Sequence, residues 1–312
     1  MKAALFEHRG KPVAIRDVPT PHPREHEVLV RVVAAGVNPV DWKMRERSER
    51  RLPFVLGQDF AGVVVATGER VQRYDVGERV FGVARDHGAY AEFTLVPEDD
   101  PRQPIAKIPD DVGDADAAAL PTAGLTALAS IAALGVKSGS RLLVVGATGG
   151  VGGLAVQIAR DRGAQVAGVG RSDHQPFAQE LGVERYVAYD RTDVASAVKS
   201  AFPDGIDAVL DLVDGPDEIW RMSEVLKRGG SLVSTIGAAD ERWFAERGIA
   251  AKNLVMNETP QSSHAGLRQL VELVEQGRIR VRIVAEHPLS EAERALEQSK
   301  AGTLTGKLVL TM

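Results

Sequence analysis

A glycine run, Gly-Ala-Thr-Gly-Gly-Val-Gly at residues 146–152, follows an apolar segment that ends at Val145 and leads into an amphipathic one. Glycines let backbone N–H groups approach an anion closely, and the N-terminus of a following helix adds a partial positive charge. Strand, turn and helix in this order predict a site for the pyrophosphate of a dinucleotide. A glycine turn that binds nothing is the alternative. The turn residues assigned to the site are Ala147, Thr148, Gly149, Gly150 and Val151.

The residues after the next apolar segment bear on which dinucleotide binds. Sites for NAD usually place Asp or Glu about 20 residues after the glycines, where the carboxylate binds the ribose hydroxyls. Here Gly170 precedes Arg171 and Ser172, and a guanidinium with a hydroxyl suits a 2′-phosphate. Asp173 could instead take the acidic role or cap the next helix. The segment favours NADPH.

Strand and helix patterns alternate through the middle of the chain, which predicts a doubly wound parallel sheet with helices on both faces, over residues 124–257. The expected strands are 141–145, 165–169, 185–187, 208–212 and 231–236. The expected helices are 151–162, 175–181, 194–201 and 218–226. The carboxyl ends of these strands must carry the glycine turn and Arg171 if both contact one ligand.

The first third of the chain is rich in short strand patterns, which indicate a barrel or sandwich over residues 1–123. These strands are expected at 13–18, 27–35, 62–66, 79–83 and 89–96. Pro121 should end or kink a helix before another begins. The tail is expected to hold helices 266–276 and 290–299 and strands 281–284 and 307–310. Ser290 and Glu293 fit a capping box, and the closing strand could return to the first domain.

Composition limits the classes of function. The 312 residues predict two domains, and the net charge of -5 opposes nucleic-acid binding. The absence of cysteine excludes disulfides, thiol nucleophiles and cysteine-ligated zinc. No run reaches the ~18 apolar residues of a membrane span, and the N-terminus has a strand pattern, so we expect a cytoplasmic protein. Arginines between 45 and 51 alternate with Glu46 and Glu49, which is typical of a solvated helical face; a basic lip for a phosphorylated substrate is the alternative.

Several motifs, in order, resemble the medium-chain dehydrogenase/reductase superfamily and, within it, the zinc-independent quinone oxidoreductase branch typified by zeta-crystallin. They lie at residues 36–43, 56–64, 77–80, 88–92, 120–127 and 306–307. The resemblance covers nearly the whole chain. It implies a Rossmann NADP-binding domain, a GroES-like β-barrel catalytic domain formed by residues 1–123 and 258–312, an active site in the cleft, and frequent homodimers.

The resemblance also implies roles for individual residues. Asn38 and Thr126 would contact the nicotinamide end of NADPH, and Arg171, Ser172 and Tyr189 would surround its 2′-phosphate. An ordinary aromatic at a strand end is the alternative for Tyr189. Two further residues assigned to the cofactor are Gly237 and Lys307. Zinc-dependent relatives carry His-Glu where Gln58-Asp59 stands here, so no metal is expected.

Without a metal, the natural chemistry is hydride transfer to a quinone or an α,β-unsaturated carbonyl. The polar candidates beside the acceptor are Asn38, Asp41 and Lys43, in orienting or oxyanion-stabilising roles. Lys43 stands where many relatives have tyrosine, and it could donate to a substrate carbonyl or face solvent. Two alternatives remain: a reductase of enoyl thioesters that uses the arginines at 45–51, and a non-catalytic NADPH-binding sensor or scaffold.

Overall fold

The computed structural model of the protein describes residues 1–47 and 50–312. Its strands are β1 (Lys2–Phe6), β2 (Ala14–Asp17), β3 (Glu27–Val37), β4 (Phe54–Val55), β5 (Asp59–Thr67), β6 (Arg79–Val83), β7 (Phe93–Pro97), β8 (Ile105–Lys107), β9 (Arg141–Val145), β10 (Gln165–Gly170), β11 (Arg185–Ala188), β12 (Ile206–Asp211), β13 (Leu226–Ser234), β14 (Ala250–Asn253), β15 (Ile283–Pro288) and β16 (Lys307–Thr311). Its α-helices are α1 (Pro39–Arg47), α2 (Asp114–Ala119), α3 (Pro121–Ala133), α4 (Gly150–Asp161), α5 (Gln175–Glu180), α6 (Val194–Ala201), α7 (Pro216–Ile219), α8 (Glu241–Ala245), α9 (His264–Glu275) and α10 (Ala292–Ala301).

The chain divides into two compact units. One comprises Met1–Leu125 and Ser262–Met312, and the other comprises Thr126–Gln261. The division falls inside α3, which begins at Pro121 directly after α2, as the proline predicted. Across the described part of the chain, no helix combines the length and the apolar character needed to cross a membrane.

The unit Thr126–Gln261 is built on a parallel sheet. Among the described residues its strand order is β11-β10-β9-β12-β13-β14, and every neighbouring pair runs parallel. The order reverses between β9 and β12, and in doubly wound sheets ligands bind beyond the carboxyl ends of the strands at such a reversal. The glycine run follows β9 directly, so the fold places it at this point.

Local sequence explains why the central elements of this unit form. β9 is a run of apolar residues that is buried after its first position, as expected for a strand covered on both faces. α4 buries one apolar face and stops at Gly163, which has a φ of 81° that a β-carbon would strain. Asp193 caps α6 by accepting a hydrogen bond from the N–H of Ser196.

The other unit contains two sheets within the described residues. The larger has the order β15-β16-β3-β5-β6-β8, with β7 also paired to β3, and the smaller has the order β2-β1-β4. β3 is buried along most of its length and pairs with β16, so the closing strand does return to the first segment of the chain. This pairing brings Lys307, the first residue of β16, close to the end of β3.

Several predicted elements were wrong in part. Ser290 does not cap a helix: a 3-10 turn at Leu289–Glu291 precedes α10, and Glu293 accepts a hydrogen bond from the N–H of Val13 instead. The expected helix 218–226 ends early, because β13 already begins at Leu226 to pair with β12. The expected strand 89–96 begins only at Phe93, and β4, β8 and β14 were not predicted.

The arginine-rich segment was also misread. Arg45 is not solvated, since its guanidinium pairs with Glu293 at 2.6 Å and Glu297 at 2.9 Å and its side chain is 11% exposed. Arg50 donates to the backbone carbonyl oxygens of Arg85 and Asp86. The predicted helical face also includes Glu49, which lies outside the described residues, as does the side chain of Arg47.

Candidate functional site

The glycine turn connects β9 to α4 in a fixed conformation. Gly146 has a φ of 84°, and its N–H and that of Ala147 both donate to the carbonyl oxygen of Val169 at the end of β10. Gly149, which has no side chain to cap the helix, precedes the first residue of α4. The first N–H groups of a helix lack partners within the helix, so this turn presents them at the positive end of the helix dipole.

Close backbone packing explains why a glycine stands at position 152. A β-carbon on Gly152 would lie 2.1 Å from the carbonyl oxygen of Gly146. The first turn of α4 therefore packs directly on the preceding turn, and no larger residue fits without moving the backbone. The five residues assigned to the pyrophosphate, Ala147 to Val151, lie together in this turn and the start of α4, an arrangement that fits a dinucleotide phosphate.

A set of exposed polar residues lies beyond β10 and β11, and we call Arg171, Ser172, Asp173 and Asp190 the Ser172 cluster. Ser172 donates from its backbone N–H and from Oγ to the two carboxylate oxygens of Asp190, at 2.8 and 2.7 Å. Arg171 Nε donates to Asp173 Oδ1 at 3.1 Å. Asp173 thus pairs with Arg171 rather than capping α5. Tyr189 lies beside the cluster and is 56% exposed.

Sequence reasoning missed His174, which connects this region to the glycine turn. Its Nδ1 lies 3.2 Å from Thr148 Oγ1, and its Nε2 lies 3.8 Å from Asp173 Oδ1. A histidine four residues after Gly170 carried no motif of its own. The contact holds the hydroxyl of Thr148 in place within the turn.

The two remaining residues assigned to the cofactor in this unit are farther along the chain. Thr126 is buried within α3. Gly237 follows β13 with a φ of 77°, and the Oγ of Ser234 accepts hydrogen bonds from the N–H groups on either side of it, those of Ile236 and Ala238. The structure therefore places Gly237 in a tight turn after a strand of the sheet that carries the glycine turn.

Asp211 ends β12 and was not predicted. It pairs in register with Val145, the last residue before the glycine turn, and its side chain is fully buried. Oδ1 accepts hydrogen bonds from the N–H groups of Val213 and Asp214. Burial raises the pKa of Asp211 to about 7, with the charge of Asp214 adding to the shift. The carboxyl thus orders the loop that follows β12.

The unit Met1–Leu125 with Ser262–Met312 contains a buried polar group around Asn38. We call Asn38, Asp41, Asp59, Tyr90 and Lys307 the Asn38 cluster. Asn38 directly precedes α1, and its N–H donates to Asp41 Oδ2 at 2.8 Å while Asp41 N donates back to Asn38 O at 3.0 Å. Because Asp41 satisfies this helix start, the side-chain amide of Asn38 is not needed as a cap.

Both ends of the Asn38 amide are fixed by charged groups. Its Nδ2 donates to Asp59 Oδ2 at 2.8 Å, and its Oδ1 accepts from the Nζ of Lys307. Asp59 also accepts from the N–H and Oγ1 of Thr122, and Lys307 donates to the carbonyl oxygen of Val37 at 2.8 Å. The amide therefore has one orientation, which leaves the second hydrogen on Nδ2 as its remaining donor.

Burial governs the ionisation of the Asn38 cluster. It raises the pKa of Asp41 to about 7, although hydrogen bonds from Tyr90 and Asn38 oppose the shift. Burial likewise raises the pKa of Asp59 and lowers that of Lys307. The Oη of Tyr90 donates to Asp41 Oδ2 at 2.7 Å. Two carboxyl groups and one ammonium group thus share a site from which solvent is excluded.

Lys43 does not join the predicted group with Asn38 and Asp41. Its Nζ lies 5.5 Å from the ring centroid of Trp42, next to it on α1. Residues two positions apart on a helix point in different directions, so Asp41 and Lys43 diverge. The structure supplies the cation from Lys307, which sequence reasoning assigned only to the cofactor. Asp59, Tyr90 and Thr122 were visible in the quoted motifs but had received no role.

Comparison with known proteins identifies the family. The family model described as "Alcohol dehydrogenase GroES-like domain" matches residues 24–110, and the one described as "Zinc-binding dehydrogenase" matches residues 181–310. A chloroplast envelope quinone oxidoreductase homolog of Arabidopsis thaliana is 31% identical, over 94% of this chain and 92% of the relative. The chain belongs to the quinone oxidoreductase branch of the medium-chain dehydrogenase/reductase superfamily. The motifs had predicted this membership, which is confirmed.

Solved structures of this branch have the same fold. The quinone oxidoreductase of Coxiella burnetii is 33% identical with a TM-score of 0.90, covering 100% of this chain and 99% of that one. The Escherichia coli quinone oxidoreductase complexed with NADPH is 25% identical with a TM-score of 0.91, and both chains are covered completely. The predicted fold class, a Rossmann sheet with a GroES-like domain, is confirmed.

Gln58 and Asp59 stand where zinc-dependent relatives carry their His-Glu pair, and in this protein both contact other side chains. Gln58 Nε2 lies 3.1 Å from the sulfur of Met44, and Asp59 accepts from Asn38 and Thr122. Within residues 1–47 and 50–312, no group of three or more His, Asp or Glu side chains is arranged to hold a metal ion.

Proposed function

We propose that this protein is an NADPH-dependent reductase of quinones or α,β-unsaturated carbonyls that transfers hydride directly and without zinc. The observation that carries the proposal is the glycine turn at the reversal of the parallel sheet, where Gly152 packs on Gly146. Membership of an oxidoreductase family and the naming of relatives as quinone oxidoreductases support it. The NADPH complex of the Escherichia coli relative supports the choice of cofactor.

The chain's own residues have distinct tasks in this proposal. The N–H groups at the start of α4 bind the pyrophosphate, and Arg171, Ser172 and Tyr189 bind the 2′-phosphate. Thr126, Gly237 and Lys307 complete the proposed cofactor site. The nicotinamide, when bound, supplies the hydride.

Asn38 is the proposed catalytic residue that polarises the acceptor carbonyl. Its amide oxygen is occupied by Lys307, so the group that it offers is an N–H donor, which suits a carbonyl oxygen that gains negative charge. Asp59 and Lys307 hold this amide, and Asp41 holds the backbone N–H of Asn38. In the proposal none of the three contacts the acceptor, so they are positioning residues. The orienting role of Asp41 stays a prediction, and in this proposal solvent supplies the final proton.

Zinc independence rests on the residue types. The chain has no cysteine, and Gln58 and Asp59 replace the His-Glu pair of zinc-dependent relatives. Without a Lewis acid to activate an alcohol, an acceptor that is already electrophilic is the better substrate. The role of the arginines at 45–51 in binding an enoyl thioester has less support, because Arg45 forms ion pairs with Glu293 and Glu297. A homodimer and a cytoplasmic location stay predictions.

The experiment is a turnover assay with NADPH, NADH and a panel of quinones and enones. We expect oxidation of NADPH that depends on an acceptor, and transfer of deuterium from C4-deuterated NADPH to the carbon skeleton of an enone product. Activity should survive dialysis against a metal chelator. Reactions without acceptor and without protein serve as controls.

Two results would contradict the proposal. Tight binding of NADPH without oxidation by any acceptor would favour the sensor or scaffold alternative. Loss of activity with the chelator, restored by zinc, would show that the metal-free mechanism is wrong.

A further inference from the structure

Carboxylates already hold two of the three residues that the proposed site offers to a 2′-phosphate, Arg171 and Ser172. Ser172 gives its backbone N–H and its hydroxyl to Asp190, and Arg171 gives Nε and Nη2 to Asp173. A phosphate dianion that uses these donors must displace the two carboxylates. At Arg171 and Ser172, a 2′-phosphate therefore competes with a carboxylate of the protein itself.

Asp190 lies near the position expected for the 2′ substituent of the dinucleotide's ribose. It follows β11, whose last residue, Ala188, pairs in register with Gly170 at the end of β10. The carboxylate is thus held at the carboxyl end of the sheet, next to the strand end where sites of this fold recognise the ribose. Hydrogen bonds from Ser172 lower the pKa of Asp190, so it is ionised at neutral pH.

Sites for NAD usually carry an acidic residue at the end of the second strand. In this protein Gly170 stands there, and its surroundings leave no room for a side chain. A β-carbon on Gly170 would lie 2.3 Å from the Oη of Tyr186. That hydroxyl is itself fixed, because it donates to the carbonyl oxygen of Arg171 at 2.7 Å. A carboxylate at this end of the sheet can therefore come from the third strand, and Asp190 supplies it there.

We propose that Asp190 is a specificity-determining residue of the dinucleotide site. Its carboxylate occupies the donors of Ser172 that a 2′-phosphate would use, and its charge repels that phosphate. Asp190 therefore reduces the preference for NADPH over NADH. The inference rests on the proposed function and concerns the same site. Arg191 Nε lies 3.7 Å from Asp190 Oδ2, so loss of the carboxylate also releases a cation. Asp173 likewise competes with a 2′-phosphate for Arg171. This effect is weaker, because the side chains of Asp173 and Arg171 are 61% and 45% exposed.

The test is the binding of four probes to Asp190→Asn, measured by calorimetry without an acceptor. The probes are NADPH and NADH, and the fragments 2′,5′-ADP and 5′-AMP. Asparagine keeps the size of the side chain and one acceptor oxygen for Ser172 but removes the charge. We expect the Kd for NADPH and for 2′,5′-ADP to fall by about tenfold, and those for NADH and 5′-AMP to change by less than about twofold.

Asp204→Asn is the matched control, because it removes the same charge from the same unit. The Asp204 side chain is 84% exposed and lies just before β12, at the opposite end of the sheet. It should leave the ratio of the two dissociation constants unchanged. A similar rise in preference for NADPH in this control would show that the effect comes from the net charge of the protein. It would overturn the specific role of Asp190.

The remaining outcomes separate this inference from the proposed function. An unchanged NADPH/NADH ratio in Asp190→Asn would overturn the inference alone, provided that the wild-type protein binds both dinucleotides. Weaker NADPH binding in the variant would also overturn it, since Asp190 would then be holding Ser172 in place for the phosphate. Failure of the wild-type protein to bind either dinucleotide would overturn both proposals together.

Discussion

The Asn38 cluster and the Ser172 cluster contain similar groups, but one is buried and the other is exposed. In the first, Asp41 and Asp59 are fully buried and Lys307 is 5% exposed. In the second, Arg171 and Asp173 are about half exposed, and Ser172 pairs with an Asp190 side chain that is 34% exposed. Both contain carboxylates hydrogen-bonded to an amide, hydroxyl or guanidinium, so the difference lies in access of water.

The access of water determines what each cluster is suited for. A buried polar group that loses its partner pays a large desolvation cost, so the partners in the Asn38 cluster hold one another in one geometry. An exposed pair is worth little and exchanges its partners with water or with a ligand. The buried cluster therefore suits the orientation of a reacting group, and the exposed cluster suits a choice between two cofactors.

The largest expected effect is that of removing the buried ammonium group. Lys307→Met leaves Asp59 without a cation and Asn38 Oδ1 without a donor, so we expect the free energy of unfolding to fall by about 3–5 kcal/mol. Urea denaturation measures this change. Lys300→Met is the control, because Lys300 is 44% exposed and pairs with Glu46 on the surface; it should cost less than about 1 kcal/mol. Equal losses in the two variants would contradict the comparison.

A smaller effect is expected on the pH dependence of stability. Burial raises the pKa of Asp41 from 3.8 to about 7, so the folded protein holds a proton that the unfolded chain releases in this interval. Asp41 therefore destabilises the fold increasingly as pH rises from about 4 to about 7, and by a constant amount above that.

Asp41→Asn removes this titration but keeps an acceptor for Asn38 and Tyr90. The variant's free energy of unfolding, relative to wild type, should increase between these two pH values by on the order of 2–4 kcal/mol and then level off. Urea denaturation at a series of pH values measures the difference. A difference that is flat across this interval would show that folding does not raise the pKa of Asp41.

The smallest effect is expected in the exposed cluster. Arg171→Ala should weaken binding of NADPH by about 1 kcal/mol and leave NADH nearly unchanged, because the guanidinium must first leave Asp173 to bind the phosphate. Calorimetric titration with both dinucleotides measures the change. Arg185→Ala, at the opposite end of β11, is the control and should affect neither. Equal weakening of NADPH and NADH by Arg171→Ala would contradict the assignment of Arg171 to the 2′-phosphate.

The sequence predicted the fold and the glycine turn well because both depend on local patterns. Apolar runs of five residues and the glycines after Val145 are legible without knowledge of distant contacts. Even so, the strand expected at 231–236 is β13 at Leu226–Ser234, because its pairing with β12 already begins at Leu226. The capping box at Ser290 failed because Glu293 is used by Val13 and Arg45, far away along the chain.

The candidate site was predicted less completely, because its contacts join distant parts of the chain. Asn38, Asp59 and Lys307 meet through the pairing of β3 with β5 and β16, which no local pattern reveals. Lys43 was named as a candidate beside the acceptor because it is near Asn38 in the sequence, whereas Lys307 was assigned only to the cofactor. Similarly, nothing adjacent to Ser172 indicated that Asp190, 18 positions later, would accept both of its hydrogen bonds.

The most direct test of the account is a single-turnover measurement of NADPH oxidation by a quinone, at saturating NADPH, in Asn38→Ala and Asp190→Asn. We expect Asn38→Ala to slow the hydride-transfer step by on the order of 100-fold, because a donor to the developing oxyanion is lost. We expect Asp190→Asn to leave this step within about twofold of wild type and to change only the affinity for cofactor. An unchanged rate of hydride transfer in Asn38→Ala would contradict the catalytic role of the buried cluster. A slower hydride transfer in Asp190→Asn would contradict the restriction of the exposed cluster to cofactor affinity.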